Sequence, residues 1–307
     1  MGRPLRITYP GAHYHVTARG NEQKDIFKSR RDREQFLSYL ESSVIRYGAV
    51  IHAYCLMNNH YHLLMETPDG NLPEIMRHIN GAHTNYHNTK RKRAGHLFQG
   101  RYKAILIEAD EYLVELSRYI HLNPVRVGLT EKPADHPWSS YLDYIGKRHA
   151  PSWLRLDAVE THFGNSEKYR RFVEDMLGKD YVSPLQGTVA STLLGSESYV
   201  RHIMETHLDG KPLERDVPAI RELSKSRKIE QILNGVKGVF GDAGLERKTG
   251  IYLAHRYTGA QLKEIGTYFG KKESAISQAS RRFAVEMAEY ADLARVVSAL
   301  VGKLNLS

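Results

Sequence analysis

The stretch Met57–Glu66, M-N-N-H-Y-H-L-L-M-E, lies at the centre of the pattern that decides the fold. Residues two apart on a β-strand point to the same face, so His60 and His62 would present two imidazoles side by side. Neutral imidazoles are good ligands for a divalent ion, although a lone H-x-H more often lies on an ordinary strand. The same H-Y-H tripeptide occurs at His13–His15, and at most one copy is expected to hold the chemistry.

Strand and helix patterns alternate on both sides of this stretch. Alternation and turn residues predict strands at His13–Arg19, Val50–Met57 and His60–Glu66, with a turn at Asn58-Asn59 and an extended segment at residues 97–108. Helical periodicity predicts helices at Ser29–Tyr47, at residues 71–89 and at residues 111–122, the last one ended by Pro124. The order β-α-β-β-α-β-α predicts an α+β fold, in which residues 1–145 form a ferredoxin-like domain with an antiparallel sheet.

The remaining sequence is predicted to be helical and to fall into two parts. Residues 146–215 predict a helical connector, with a boundary at Asp209–Pro212. Residues 216–307 predict an all-α domain in which two helices flank Gly270 at helix-turn-helix spacing. The polar outer side of the second helix favours DNA recognition over a plain helical bundle, and it carries Ser274, Ser277, Gln278, Arg281 and Arg282.

The composition excludes several classes of protein. Of the 307 residues, 41% are hydrophobic and 26% are charged, as in ordinary globular proteins. A run of about 18 apolar residues is absent and the N-terminus has no apolar segment, so neither a membrane span nor a signal peptide is expected. The single cysteine, Cys55, excludes an internal disulfide and a cysteine-based zinc site and fits a cytoplasmic protein.

The charge is unevenly distributed along the chain, whose net charge is +9. Residues 1–150 carry 21 Lys+Arg against 15 Asp+Glu, residues 151–217 carry 8 against 11, and residues 218–307 carry 15 against 9. Two basic ends therefore flank an acidic middle. A polyanion such as nucleic acid is the natural partner of both ends, and a moderately basic soluble protein is the alternative.

A nucleic-acid enzyme built on two histidines also needs a nucleophile and a third ligand. Tyr119 and Asn123 lie four residues apart, so one helical face can carry both. Tyrosine can act as a covalent nucleophile, and a metal ion that polarises the target phosphate would lower the barrier. Spacing alone does not choose between Tyr119 and three other tyrosines, which are Tyr86, Tyr102 and Tyr112.

Three motifs occur in order along the first domain, namely M-N-N-H-Y-H-L-L at residues 57–64, F-Q-G-R-Y-K at residues 98–103 and L-S-R-Y-I-H-L-N-P-V-R-V-G-L at residues 116–129. Together they resemble the single-tyrosine HUH transposases, and among these the REP-associated tyrosine transposases. The resemblance covers about residues 5–145. It implies that His60 and His62 bind Mg²⁺ or Mn²⁺, that Asn123 is a third metal ligand and that Tyr119 is the nucleophile. It also implies that the strand of His13 and His15 lies beside the HUH strand, so that either histidine can approach the site.

A C-terminal stretch resembles a second family, the DNA-binding domain of the replication initiator DnaA. The similar sequence begins with R-K-T-G-I-Y-L-A at residue 247 and ends with Q-A-S-R-R at residue 282. The resemblance implies phosphate contacts by Arg247, Lys248 and Arg256 and base-edge contacts by Ser277, Gln278 and Arg281. In the first domain, phosphate contacts are expected at Lys90, Arg91, Lys92, Arg93, Arg101 and Lys103. The alternative is that these side chains form only a solvated helix end.

These inferences predict a transposase-type DNA endonuclease and strand transferase. Its substrate would be single-stranded hairpin DNA, cut through a covalent 5′-phosphotyrosine, while the C-terminal domain would bind duplex DNA. A homodimer and a cytoplasmic, nucleoid-associated location are further expectations. A non-catalytic, sequence-specific DNA-binding regulator is the main alternative. A ferredoxin-like RNA binder is less favoured, because the strands lack an evident run of exposed aromatic residues.

Overall fold

The computed structural model describes residues 6–189, 191–207, 229–258, 260–304 and 306. These residues belong to two compact units, one within residues 6–207 and one within residues 229–306. The predicted boundary at Asp209–Pro212 lies outside the described residues. Among the described helices, none is long and apolar enough to cross a membrane.

The first unit contains the predicted β-α-β-β-α-β-α order. Its strands are β1 (Ala12–Arg19), β2 (Val50–Leu56), β3 (His60–Thr67), β4 (Lys103–Ile107) and β5 (Leu193–Leu194). Its helices are α1 (Arg30–Tyr47), α2 (Leu72–Lys90), α3 (Ala109–Arg126), α4 (Tyr141–Tyr144), α5 (Asp157–Phe163), α6 (Ser166–Glu174) and α7 (Glu197–His207). Much of the segment predicted to be extended, residues 97–102, is irregular, and only its second half forms β4.

The sheet has the strand order β2-β3-β1-β4-β5. Its first four strands are antiparallel to their neighbours, which confirms the predicted α+β, ferredoxin-like arrangement. The fifth strand makes the sheet mixed, because β5 pairs in parallel with β4. Only helices were predicted in this part of the sequence, since a two-residue strand is too short to give a periodic signal.

The turn that precedes the H-Y-H stretch is anchored to α1. Ser29 caps α1 by accepting a hydrogen bond from the Asp32 N–H at 3.3 Å. Within the hairpin, the Met57 N–H donates to the His60 carbonyl at 2.9 Å, which confirms the predicted turn at Asn58-Asn59. Arg33 of α1 donates to Oδ1 of Asn58 at 2.6 Å. These bonds hold the start of β3 in a fixed position.

The prediction that Pro124 ends the third helix is wrong. Helix α3 continues through Pro124 to Arg126, and Gly128 follows with a φ of 70°. A proline removes one N–H donor and disfavours a helical residue before it, but it does not forbid one. The N–H that Pro124 lacks would have paired with the Ile120 carbonyl one turn earlier. After the proline, the Leu129 N–H donates to the Pro124 carbonyl at 2.8 Å and closes the end of the helix.

Helix α3 is held against the sheet by an apolar core and a buried polar network. Leu116 and Ile120 pack with Leu64 of β3 and with Tyr169 and Val173 of α6. Within this core, Nδ1 of His121 lies 2.7 Å from the Tyr169 hydroxyl, and Nε2 lies 2.7 Å from Oγ of Ser140. The Tyr169 hydroxyl also lies 2.9 Å from Oγ of Ser117. The described part of the predicted connector therefore packs into the first unit and fixes how α3 is rotated.

The second unit is helical throughout its described residues. It consists of α8 (residues 229–236), α9 (Ala243–Tyr257), α10 (Leu262–Phe269), α11 (Glu273–Glu289) and α12 (Ala291–Lys303). A left-handed residue, Gly270, ends α10 with a φ of 60°. A side chain at Gly266 would place Cβ 2.4 Å from the Lys271 carbonyl oxygen, so the tight turn between α10 and α11 requires glycine there. The residues predicted to anchor the two helices are buried, namely Ile265, Phe269, Ile276 and Phe283.

Candidate active site

Two histidines of β3 lie at the end of the sheet that follows the hairpin turn. The ring centroids of His60 and His62 are 5.1 Å apart. His62 is buried, with 7% of its surface exposed, whereas His60 is half-buried. Their position on one strand face, as the sequence indicates, leaves one imidazole deep in the site and one nearer to solvent.

A third histidine, His15 of β1, contacts the inner member of this pair. Its Nε2 atom lies 2.9 Å from Nδ1 of His62, and the two rings stack with centroids 5.2 Å apart. Nε2 of His62 is buried and has no hydrogen-bond partner among the described residues. The 2.9 Å contact admits either ring as the donor, and with Nδ1 of His62 as the donor, Nε2 of His62 keeps a lone pair.

The outer histidine is oriented by a side chain of the hairpin turn. Nδ1 of His60 lies 2.7 Å from Oδ1 of Asn59, whose amide nitrogen donates to the Gln23 carbonyl at 3.0 Å. The amide oxygen can only accept, so Nδ1 of His60 donates and Nε2 keeps the lone pair. Two imidazole lone pairs supported by hydrogen bonds from their other nitrogens are a donor set that fits a divalent metal ion.

The electrostatics of the site keep these imidazoles neutral. Burial lowers the pKa of His15 to about 4, and burial together with the nearby Arg19 lowers the pKa of His60 to about 4. Burial, followed by the neighbouring histidines, places the pKa of His62 well below its usual value. Because these pKa values are lowered, the three rings are neutral at neutral pH. Neutral imidazole is the form that binds metal ions.

Helix α3 places Tyr119 against the histidines. The Tyr119 ring meets the His62 ring edge to face at 5.9 Å and the His15 ring at 6.0 Å. Cζ of Arg126 lies 4.7 Å from the centroid of the same tyrosine ring. The site thus combines a tyrosine hydroxyl, two imidazole lone pairs and an exposed guanidinium.

The three other tyrosines that the sequence allowed as nucleophiles have different surroundings. The Tyr86 hydroxyl donates to Asp32 at 3.3 Å, the Tyr102 ring lies under Arg6, and Tyr112 packs on the apolar core. Of these four tyrosines, Tyr119 is the one that the structure brings to the histidine pair. Asn123, which is buried, lies one turn after Tyr119 because α3 stays helical through Pro124.

The predicted phosphate-binding cations of the first unit fall into two groups. Lys90 and Arg91 form ion pairs with the buried Asp32, with a distance of 2.7 Å for the lysine. Four other side chains of the prediction are exposed, namely Lys92, Arg93, Arg101 and Lys103. The loop that carries several of them lies beside the site, because the Gln99 N–H donates to the Arg19 carbonyl and Arg19 pairs with His60 across the strands.

Three residues beside the histidine pair came from outside the predicted set of site residues. They are His15, which was predicted to lie on a neighbouring strand from which it can approach the site, Arg19 and Arg126. Their cross-strand and helix-end positions depend on tertiary pairing. The H-Y-H at His13–His15 was one available signal, and it led to His15.

The predicted contacts of the second unit are also divided. The Arg247 guanidinium donates to the Phe269 carbonyl, and Lys248 pairs with Glu286 at 3.0 Å. Ser277 of α11 is half-buried. The remaining predicted contacts are exposed, namely Arg256, Gln278 and Arg281.

Part of the chain is similar to known proteins. Residues 8–123 match the family model described as Transposase IS200 like. The chain is similar to a REP-associated tyrosine transposase of Haemophilus influenzae (strain ATCC 51907 / DSM 11121 / KW20 / Rd). The two are 27% identical over 124 residues, which cover 35% of this chain and 67% of the relative.

Two solved structures are also similar to the chain. One is a REP-associated tyrosine transposase bound to a REP hairpin, with 17% identity, a TM-score of 0.43, and coverage of 50% of this chain and 92% of that chain. The other is a crystal structure of a transposase from Deinococcus radiodurans, with 17% identity, a TM-score of 0.28, and coverage of 39% and 94%.

Proposed function

We propose that the protein cuts and rejoins single strands of hairpin DNA through a covalent link between Tyr119 and a 5′-phosphate. One observation carries the proposal: Tyr119 lies against His62 at a ring distance of 5.9 Å, while Nε2 of His62 is buried with no hydrogen-bond partner among the described residues. This proximity supports Tyr119 as the nucleophile and His62 as a metal ligand.

The metal ion would be Mg²⁺ or Mn²⁺, held by His60, His62 and the amide of Asn123. When bound, it supplies charge that polarises the scissile phosphate. His15 would act as a positioning residue, because its hydrogen bond to Nδ1 of His62 holds that ring in place.

The chemical step exchanges one phosphate ester for another. The phenol oxygen of Tyr119 attacks phosphorus, the bond from phosphorus to the 3′-oxygen breaks, and the phenol proton is lost to water. The leaving 3′-oxygen takes up a proton and becomes a free 3′-OH, while the 5′-phosphate stays on the tyrosine. A second 3′-OH can reverse the exchange and join strands, so rejoining needs no external energy source.

The exposed cations beside the histidines would guide the strand into the site. Arg126 lies over the Tyr119 ring and Arg19 pairs with His60 across the sheet. Lys103 pairs with Thr17, which in turn pairs with His62, so this lysine lies about 10 Å from the histidine across two strands. We assign phosphate contacts to these residues and to Lys92, Arg93 and Arg101 rather than to Lys90 and Arg91, which neutralise Asp32.

The second unit would add recognition of duplex DNA. Its α10–turn–α11 arrangement leaves Gln278 and Arg281 exposed on the second helix, where a helix-turn-helix protein contacts base edges. Binding of duplex DNA by Arg281→Ala should weaken about tenfold or more, while Lys248→Ala should bind like wild type because this lysine pairs with Glu286. Equal binding by both variants would refute this part of the proposal.

The direct test uses single strands taken from palindromic flanks of the gene, labelled at either end. Wild-type protein in Mg²⁺ or Mn²⁺ should give a covalent adduct that keeps the 3′ label and should release the 5′-labelled fragment with a free 3′-OH. Tyr119→Phe and the double variant His60→Ala/His62→Ala should give no adduct. Tyr112→Phe is the matched control, because Tyr112 lies on the same helix but packs on the apolar core.

The same gel separates the enzyme from a non-catalytic regulator. Adduct formation by Tyr119→Phe would assign the nucleophile to another tyrosine. Tight binding of a panel of hairpins with no adduct in either metal ion would favour the regulator.

A further inference from the structure

Three side chains from three neighbouring strands meet farther along the sheet, four residues beyond His62 on β3. They are His13 of β1, His52 of β2 and Glu66 of β3. Oε2 of Glu66 lies 3.5 Å from Nε2 of His13 and 3.7 Å from Nε2 of His52. One possible ligand atom from each residue lies within 4.8 Å of the other two. Among the described residues, this is the group of three such side chains that is close enough to hold a metal ion.

The sheet itself brings these groups together. His13 and Glu66 are direct partners across the β1–β3 ladder. The pairing of β2 with β3 shifts between Ile51 and Ala53, so His52 is the extra residue of a β-bulge. Bulges re-aim a side chain at the point where they interrupt a ladder. Here the bulge residue faces the carboxylate of Glu66.

His13 can offer a lone pair from the ring nitrogen that faces Glu66. Nδ1 of His13 lies 3.0 Å from the Gly11 carbonyl, which can only accept, so Nδ1 carries the proton and Nε2 is free toward Glu66. A backbone carbonyl that accepts from the other ring nitrogen is the usual support of a metal-bound histidine.

His52 supplies a second and independent observation. Only 6% of its surface is exposed, and neither ring nitrogen has a hydrogen-bond partner among the described residues. The 3.7 Å separation from Glu66 is too long for a hydrogen bond. Buried polar atoms are normally paired, so an unpaired imidazole aimed at a carboxylate indicates an additional binding partner between them.

We propose that His13, His52 and Glu66 bind a zinc ion, with a fourth position open to solvent. Two imidazoles and one carboxylate are a ligand set that zinc uses, whereas magnesium prefers oxygen ligands. Zinc bonds of about 2.1 Å in a tetrahedron place neighbouring ligand atoms about 3.4 Å apart, close to the two separations observed. The side chains of His13 and Glu66 are 21% and 27% exposed, which leaves access for the ion and for a water ligand.

This site is separate from the one that contains Tyr119. Glu66 follows His62 by four residues on β3, a separation of about 13 Å along the strand. The alternative is a cluster of two histidines and a glutamate without metal, held by the strand pairing alone. Zinc content distinguishes the two, because only the proposed site gives a stoichiometry that depends on all three residues.

The test uses the full chain in the His60→Ala/His62→Ala background, so that the first histidine pair cannot contribute. The protein is stripped with a chelator, dialysed against micromolar ZnSO₄ and then against metal-free buffer, and its zinc is measured by mass spectrometry. We expect one zinc ion per chain, and further substitution by His52→Ala or Glu66→Gln should remove it. His78→Ala is the matched control, because His78 is half-buried on α2 and bonds to Ser42.

Cobalt substitution gives a second readout in the same background. Cobalt bound by His13, His52 and Glu66 should give visible absorption bands of a four- or five-coordinate ion, and these should vanish in Glu66→Gln. Glu66 is half-exposed, so this variant keeps the test decisive if His52→Ala fails to fold. Absence of zinc in the parent protein, or zinc content unchanged by Glu66→Gln, would overturn the proposal.

Discussion

Nε2 of His15 lies 2.9 Å from Nδ1 of His62, and this contact joins the two H-Y-H tripeptides of the sequence in one site. The two histidines of the first tripeptide, His13 and His15, belong to two different clusters. His15 supports the inner histidine of the candidate active site, while His13 faces Glu66 and His52 at the other end of the same strand pair. The second tripeptide supplies both imidazoles that we propose as ligands of a metal ion.

His15→Ala should weaken metal binding at the site, and so raise the metal concentration that DNA cleavage needs, without removing the nucleophile. The loss of a supporting hydrogen bond to a metal-bound histidine typically costs about 10- to 100-fold in metal affinity. We expect the Mn²⁺ concentration for half-maximal adduct formation to rise by that factor, with recovery at high Mn²⁺. An unchanged Mn²⁺ titration, matching that of His78→Ala, would show that His15 does not position His62.

Arg126→Ala should slow adduct formation by about tenfold, which corresponds to about 1.4 kcal/mol in the barrier. The guanidinium lies 4.7 Å from the Tyr119 ring centroid and carries a charge that the incoming phosphate can meet. Arg126→Lys keeps the charge but loses the planar contact, so its rate should be intermediate. Single-turnover rates of the three proteins measure this effect, and equal rates for wild type and Arg126→Ala would contradict it.

Tyr169→Phe should lower the free energy of unfolding of the first unit by about 1–3 kcal/mol. The lost hydroxyl bonds both His121 and Ser117, and it leaves the buried Nδ1 of His121 without its partner. Urea unfolding followed by tryptophan fluorescence reports on this unit, because both tryptophans, Trp138 and Trp153, belong to it. Tyr112→Phe is the control and should change stability little.

The stability of the first unit should fall as the pH is lowered from about 6.5 to about 4. Burial lowers the pKa of His83 and of His136 from 6.5 to about 4 in the folded protein. The unfolded chain then binds more protons between these values, so protonation favours unfolding as the pH falls. Unfolding at pH 7.0, 5.5 and 4.5, followed by tryptophan fluorescence, should show this decrease, and it should be smaller in His136→Gln. A flat profile would contradict the burial of these rings.

The sequence predicted the parts of the site that depend on local geometry. Alternation on a strand placed His60 and His62 on one face, and helical spacing placed Asn123 one turn after Tyr119. Turn and cap residues gave the helix and hairpin limits around them, as Ser29 and the Asn58-Asn59 turn show. The four-strand order followed from the alternation of strands and helices, and the structure confirms it.

Tertiary pairing decided the remaining features, and no local pattern carries that information. Asp32 precedes Lys90 by 58 residues, yet its carboxylate pairs with that lysine and with Arg91 and offsets their positive charge. The strand β5 comes from a segment predicted to be helical and is recognised only by its pairing with β4. The bulge that turns His52 toward Glu66 likewise depends on the register between two strands.

The central claim is that Tyr119 becomes covalently joined to DNA. The measurement that tests it most directly is peptide mass spectrometry of the adduct after nuclease and protease digestion. We expect a nucleotide mass on the peptide that contains Tyr119, at the tyrosine oxygen, in protein incubated with hairpin DNA and Mn²⁺. A nucleotide mass on a peptide with Tyr86, Tyr102 or Tyr112 and none on Tyr119 would contradict the account.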